Sequence, residues 1–401
     1  MNIVTDLDLP VFDYQAPGFS ADSYHRQLAE IGQLSWLAKI PFGYIVLIRE
    51  AAEFFLRSKD TAFPGRQIAE AFGVTDGPLA DHIEATINNL PDDRHRRLRA
   101  LVGRAFSPRA ADRWRPAMRV FLGKLWREIP AAGTCEFVSA VAKPYPAMAI
   151  AAILGAPEQD AAQLQEWSDW IMRQYDVRAM ETQLPAIERA VVDVQEYVAA
   201  LLELRRKDPA GDLISDVLTA QVDGERLSSA ECVNLVTNLL AGGIHTTQNQ
   251  LAHAMRLFAI HPGQWALLER QPEMIFRAVT EVLRFEPVTP FAARICTREV
   301  TYRDVIFPAG TIVVACSERA NRETGEQFDI TIDLEEQPLT FGAGAHYCLG
   351  ANLARAELEE ALAFLIPRMP GLELAGSVQF GGVEGVYGID ELPLRWRTET
   401  V

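Results

Sequence analysis

The stretch Phe341-Gly342-Ala343-Gly344-Ala345-His346-Tyr347-Cys348-Leu349-Gly350 constrains this chain more than any other. A glycine-rich turn presents one cysteine, and apolar residues at helical spacing (Leu349, Leu353, Ala354, Leu358, Leu362, Leu365) follow at once. A thiolate stays ionised only beside a cation or a positive dipole, and a helix N-terminus supplies the dipole. Glycines on the approach let backbone N–H groups crowd the sulfur and tune its donor strength. That is the geometry of a thiolate ligating haem iron from one side. Three other uses of such a string compete with it. A phosphate nest of the dinucleotide type needs glycine where Tyr347 stands. A lone cysteine is usually a buried core thiol. A zinc site wants a second cysteine or histidine at ligand spacing, and none flanks Cys348.

As a whole the string resembles the signature of the cytochrome P-450 superfamily, Phe-Gly-x-Gly-x-His-x-Cys-x-Gly, and matches it at every fixed position. The resemblance implies a mainly α fold with a small β-rich region, enclosing haem b (iron protoporphyrin IX). It implies one domain over residues 1–401, with 1–20 as a loose lead-in. Cys348 would be the axial ligand, and Phe341, His346 and Gly350 would contact the haem.

Composition agrees with a large core. At 401 residues and 49% hydrophobic the chain can bury one big domain or two smaller ones. A net charge of −16 argues against nucleic-acid affinity, which calls for a basic excess. No apolar run reaches bilayer-spanning length, and Met1-Asn2-Ile3-Val4-Thr5-Asp6 does not look like a signal segment. Five scattered cysteines, an odd number, argue against a disulfide framework. A cytoplasmic protein without membrane attachment is expected, and within the family this is the bacterial type.

Residues 21–33 read as a helix. Trp36–Ile40 and Tyr44–Ile48 flank Pro41-Phe42-Gly43, a hairpin signal, and Ala51–Arg57 reads as a short helix. Residues 60–90 lack one clean period. The family places a variable loop over the substrate pocket there, so Phe72 and Leu90 are pocket candidates by resemblance. From Asp93 to Phe106, Leu98, Leu101, Val102, Ala105 and Phe106 keep helical spacing and leave a basic opposite face. Charge runs usually mean a solvated face. His95 and Arg99, however, stand at i, i+4 and can reach one anion together. The resemblance makes that anion a haem propionate. The remaining arginines (Arg94, Arg96, Arg97, Arg104, Arg109, Arg113) stand out in an acidic chain. They suit docking of an acidic electron donor such as a ferredoxin, near Arg94, Arg97, Arg104 and Arg109.

From 110 to 220 helix follows helix, with breaks such as Gly155-Ala156-Pro157. Trp167, Trp170, Ile171 and Tyr175 lie at helical spacing and serve either core or pocket. A long helix starts at the capping box Ser228-Ser229-Ala230-Glu231 and runs to His261-Pro262-Gly263. It has roughly 30 residues and extends on the order of 45 Å. Ala241-Gly242-Gly243 sits midway, where glycines weaken a helix unless something approaches its backbone. The family usually continues with an acid and two threonines, the acid–alcohol pair delivering protons to bound oxygen. Here His245 replaces the acid before Thr246 and Thr247. Neutral imidazole both donates and accepts, so His245 is either a proton relay to Thr246 or the filler of a polar niche. Gly242 would face the haem.

Glu281 and Arg284, at i, i+3, match the family's buried structural ion pair, with Arg319 and Arg322 as candidate third members. Arg294, after Pro287 and Pro290, resembles a second propionate-binding arginine. Val300–Tyr302 and Thr311–Val314 flank Pro308-Ala309-Gly310, a second hairpin signal. The basic residue usual before the signature is missing from Gln337-Pro338-Leu339-Thr340. Gly385-Val386-Tyr387-Gly388 resembles the final pocket-lining turn. Further pocket candidates by resemblance are Leu239, Gly243, Thr247, Val288, Phe291, Val386 and Tyr387.

The activity expected is O2-dependent hydroxylation or epoxidation of a hydrophobic small molecule, free or carrier-protein-bound, as in secondary metabolism. Electrons would come from NAD(P)H through a ferredoxin reductase and a ferredoxin. Because the acid is absent, a peroxide-using or non-hydroxylating oxidase is an alternative. A non-catalytic haem sensor or binding protein is another, though no output domain is visible.

Overall fold

A computed structural model describes residues 1–13, 21–222, 224–382 and 385–398. Its frame is the long helix, Ser229–Ile260, of 32 residues. The capping box is formed: Ser228 Oγ accepts from the Glu231 N–H at 3.2 Å, and the Glu231 carboxylate accepts from the Ser228 N–H at 2.8 Å. Caps alone do not sustain so long a helix; tertiary burial does. The helices Pro144–Leu154, Ala161–Met172, Val177–Lys207 and Ala351–Leu365 pack along it. Its first half belongs to one apolar cluster through Leu235, Leu240 and Ile244, and its second half to another through Leu251, Met255 and Phe258. Between them the buried residues turn polar, at Thr247, Gln248, Asn249 and Gln250. A polar break in the core of a long helix is where this chain departs from pure packing.

The β-rich region is a five-stranded sheet plus smaller pairings. The first expected hairpin is present, Leu37–Ile40 against Gly43–Val46 with Leu37 opposite Val46. Ile312–Cys316 joins it in parallel, and Phe291–Cys296 pairs antiparallel to that strand, Val313 opposite Arg294. The second expected hairpin is different. Val300–Tyr302 folds back at Arg303-Asp304 onto Val305–Phe307, with Thr301 opposite Ile306. Arg303 takes φ +52° to make this turn. The run Val305-Ile306-Phe307 is a strand in its own right, and Pro308, without an N–H, ends the ladder. Pro308-Ala309-Gly310 is therefore a crossover between two sheets.

The N-terminus also differs from the expected loose lead-in. Asn2–Ile3 pairs in parallel with Val305–Ile306, Val4 and Phe12 are buried, and the Phe12 N–H bonds to the Lys39 carbonyl at 2.9 Å. Residues 14–20 of that segment lie outside the described residues. The following helix, Ala21–Leu34, is tied down by His25. Its Nε2 is 2.9 Å from Glu286 and its Nδ1 3.0 Å from Glu318, both carboxylates buried.

Glu281 and Arg284 lie on the helix Ile275–Phe285 and are each 1% exposed. Arg284 Nε is 2.6 Å from Glu281. Neither Arg319 nor Arg322 completes the network. Backbone carbonyls of Asn321, Gly325 and Gln327 accept the remaining Arg284 N–H groups, and the Asp329 N–H donates to Glu281. Arg319 pairs with Glu326, while Arg322 bonds Glu318 and the Phe285 carbonyl. A guanidinium has five donors, and a loop folded around it satisfies them without a second charge.

Candidate active site

The cysteine stands on a closed turn. The Cys348 N–H donates to the Phe341 carbonyl at 2.9 Å, and the helix Ala351–Leu365 begins just beyond Gly350. Gly344 has φ +70°, and a Cβ there would stand 3.1 Å from the Leu56 carbonyl oxygen. Only glycine meets both demands. The accessible surface of Cys348 opens into a cavity of about 610 Å³, which Phe341, His346 and Gly350 also line. Burial pushes the thiol above its ordinary pKa, opposed by the Gly350 and Ala351 N–H groups and by the Arg99 charge. The helix start thus moderates the thiol rather than ionising it outright; a bound metal would displace the proton.

One edge of this end of the cavity is cationic and unpaired. Arg99 and Arg294 line it. Arg294 is 6% exposed, and its only hydrogen bond among the described residues goes to the Ala293 carbonyl. Burial pulls it down to about 10. His95, from the helix Asp92–Val102, lies against His346 with ring centroids 4.3 Å apart and the planes tilted by 37°. His95 Nε2 and His346 Nδ1 are buried without partners. Burial, then Arg294, His95 and Arg99, pushes His346 down to about 4. Among the described residues no carboxylate pairs with any of the four. Buried polar groups are normally satisfied. Four basic groups without a carboxylate partner at one edge fit a ligand carrying two carboxylates, as haem does.

Across the cavity lies the middle of the long helix. A Cβ on Gly242 would meet nothing within 4 Å, whereas one on Gly243 would collide with Ile150 Cδ1 at 2.9 Å. So Gly242 leaves open space for a flat ligand, and Gly243 is small for helix packing. Thr246 Oγ1 donates back to the Gly242 carbonyl. His245, expected beside Thr246, turns elsewhere and does not line the cavity. Its Nδ1 is 2.9 Å from Asp169, whose other oxygen is 2.8 Å from Lys143. Burial raises the Asp169 pKa, but the His245 and Lys143 contacts hold it below the usual range. Sequence reasoning missed Glu357, which lines the cavity one helix away. It is 1% exposed, and burial holds its carboxyl well above the ordinary range despite a hydrogen bond from Thr247. Its signal was available: Glu357 interrupts the apolar stripe Leu353, Ala354, Leu358 and Ala361.

Of the expected pocket residues, Phe72, Leu239, Gly243, Thr247, Val288, Phe291 and Val386 line the cavity. Leu90 and Tyr387 do not. Leu90 is buried at the end of the turn Ile87–Asn89, just before Pro91. Tyr387 is fully buried among Tyr24, His253 and Phe380. Ile171 and Tyr175 reach the cavity, while Trp167 packs on Tyr197 and Trp170 under Arg173.

A thiol at the floor, an unpaired cationic edge and a glycine-cleared helix opposite define a haem–thiolate site. Comparison with known proteins places the chain further. The cytochrome P450 family model matches residues 273–368. Luteothin monooxygenase of Streptomyces thioluteus is 34% identical over 395 residues, 97% of this chain and 96% of that one. Mycinamicin IV hydroxylase/epoxidase of Micromonospora griseorubida is 34% identical over 321 residues, covering 78% and 76%. Among solved structures, CalO2 superposes with a TM-score of 0.88 at 27% identity, covering 98% of this chain and 100% of its own. P450BioI, solved with an acyl carrier protein bearing hexadec-9Z-enoic acid, gives 0.85 at 26% identity, covering 94% and 98%. The chain belongs to the cytochrome P450 family. It is a haem–thiolate monooxygenase that uses O2 and electrons from NAD(P)H delivered by redox partners. Among the described residues, no helix is long and apolar enough to cross a membrane.

Proposed function

We propose that this enzyme hydroxylates or epoxidises a hydrophobic small molecule held above Cys348, and that it works in the cytoplasm. The division of the cavity carries this reading. Its arginines, Arg99 and Arg294, and the neutral Glu357 carboxyl lie near the cysteine or the long helix, while Ile171, Leu239, Val288 and Phe291 make the walls apolar. Such walls grip an apolar molecule and keep water out. The relatives named for luteothin and mycinamicin IV favour a small organic substrate. Five free cysteines suit a reducing compartment.

Cys348 would hold the haem iron through its sulfur, and Arg99, Arg294, His95 and His346 would hold the two haem carboxylates. Haem, when bound, supplies the oxygen chemistry, splitting O2 with two electrons and two protons so that one atom enters the substrate and the other leaves as water. Thr246 keeps its proton on the Gly242 carbonyl and offers oxygen lone pairs to the cavity. Glu357, kept neutral by burial, holds a proton beside Thr247. His245, fixed by Asp169, is a positioning residue for the helix; the His245→Ala variant is expected to keep its product yield per electron.

The electron donor would be a ferredoxin. Arg94, Arg104 and Arg109 are exposed and carry no ion pair among the described residues. Arg97 is already committed to Glu225 and Glu231, at 2.6 and 2.8 Å, and so drops out of the docking face.

Optical titration of purified holoenzyme with hydrophobic metabolites, free and carrier-protein-loaded, tests the reading. A low-to-high-spin shift of the haem band with at least one member is expected. A haem spectrum without cysteine ligation, or no shift across the panel, would overturn it.

A further inference from the structure

Away from the cysteine, the cavity has a polar corner in an apolar wall. It lies where the short helix Pro78–Ala85 meets the first half of the long helix, and His82, Thr86 and Asn238 line it. Leu79, His82, Ile83 and Thr86 recur at i, i+3, i+4 and i+7, the spacing of a stripe turned inward, and all four are buried. Packing alone asks for apolar side chains at every one of these positions. Two of them carry hydrogen-bonding groups instead.

Thr86 has partners. Its hydroxyl lies 2.9 Å from the His82 carbonyl and 3.2 Å from Asn238 Oδ1. Asn238 Nδ2 donates to the Asn234 carbonyl at 2.7 Å, which fixes which amide atom is nitrogen. One Asn238 N–H remains uncommitted among the described residues. His82 has no partner. It is 2% exposed, its Nδ1 is enclosed without a hydrogen bond, and its imidazole makes none among the described residues. Burial pushes it down to about 4, so the ring is neutral, with one nitrogen donating and the other accepting. A buried, unpartnered imidazole disfavours the empty state; Nδ1 is closed off from the cavity, so a ligand relieves that penalty at Nε2, whose N–H donates to it.

We infer that His82 and Asn238 anchor a neutral acceptor oxygen, of the carbonyl type, at the far end of an elongated and otherwise apolar substrate. The inference rests on the reading of this cavity as the substrate chamber. The oxygen is neutral because no charged side chain lines the corner, and a neutral ring and amide do not offset the desolvation of a carboxylate. Position on the helix sets the length. Asn238 precedes Thr246 by eight residues, about 12 Å of helix. The carbon presented to the oxygen site is therefore on the order of 10 Å from the anchored atom. Apolar lining residues such as Leu239, Val288 and Phe291 hold the chain without selecting its orientation. The anchor selects it.

The probes are octanophenone and octylbenzene, which differ in one carbonyl, titrated into full-length holoenzyme by the spin-state shift. The ketone is expected to bind about tenfold more tightly. In His82→Leu the advantage falls to within about twofold, with octylbenzene affinity unchanged. In His82→Gln, whose amide nitrogen reaches the place of Nε2, most of the advantage returns. A ketone no tighter than the hydrocarbon, or an advantage that survives His82→Leu, overturns the anchor. If neither probe shifts the spin state and the metabolite panel is also silent, the substrate-chamber reading fails with it. A shift with equal affinities removes the anchor alone.

Discussion

Arg284 and Arg294 lie ten residues apart and are almost equally buried, yet their surroundings are opposite. Arg284 meets a carboxylate and three backbone carbonyls. Arg294 meets one carbonyl, and beside it stand three more basic groups. A buried charge with its donors satisfied is part of the scaffold; one left unsatisfied is a site awaiting an anion. Burial alone does not separate the two.

The contrast breaks most visibly under substitution. In Arg284→Leu, Glu281 loses its charge partner in the interior, and unfolding in denaturant is expected to come about 3–5 kcal/mol more easily, with or without haem. A loss confined to the haem-loaded form would make Arg284 part of the site. Arg294→Leu should behave in the opposite way. Stability of the haem-free chain should hold or rise by about 1 kcal/mol, because an unpaired guanidinium leaves the interior. Haem transfer to an apo-globin should then run about tenfold faster. Equal destabilisation of apo and holo forms would return Arg294 to the scaffold.

The His25 junction sharpens the comparison through pH. Burial lowers the imidazole, but the Glu286 charge and the hydrogen bonds His25 donates to Glu286 and Glu318 outweigh it and raise His25 from 6.5 to about 9. Burial raises Glu286, yet His25 draws it from 4.5 down to about 2. The His25 contribution is full below pH 6.5 and is lost as pH climbs through 9. That of Glu286 is full above pH 4.5 and is lost as pH falls through 2. Stability from this junction thus peaks between these limits, and His25→Gln is expected to flatten the alkaline limb by on the order of 3 kcal/mol. Unfolding curves from pH 5 to 10 read it directly. The smallest effect belongs to Arg319→Ala, below about 1 kcal/mol in the same assay, since its partner Glu326 is exposed and Arg284 does not need it.

Local signals carried far. The Cys348 turn, the capping box at Ser228, the His95–Arg99 spacing and the Glu281–Arg284 pair are each written within a few residues, and each is formed. Hairpins are less local. Val300–Tyr302 chose the nearer strand Val305–Phe307 because a two-residue turn closes before Pro308 can be reached. What closes the Arg284 shell is three peptide carbonyls, which every residue possesses and no residue type announces.

By itself, then, the order of residues determined the helical frame, the glycine-rich cysteine turn, the family and the basic residues gathered at one edge of the cavity, since periodicity and spacing act over one or two helical turns. Only the tertiary structure decided which way side chains face across helices. It set His245 on Asp169 instead of in the cavity, took Leu90 and Tyr387 into the core, and brought Glu357 and His82 to the cavity wall. Side-chain direction at a helix crossing depends on the partner helix, and that partner lies dozens of residues away in the chain.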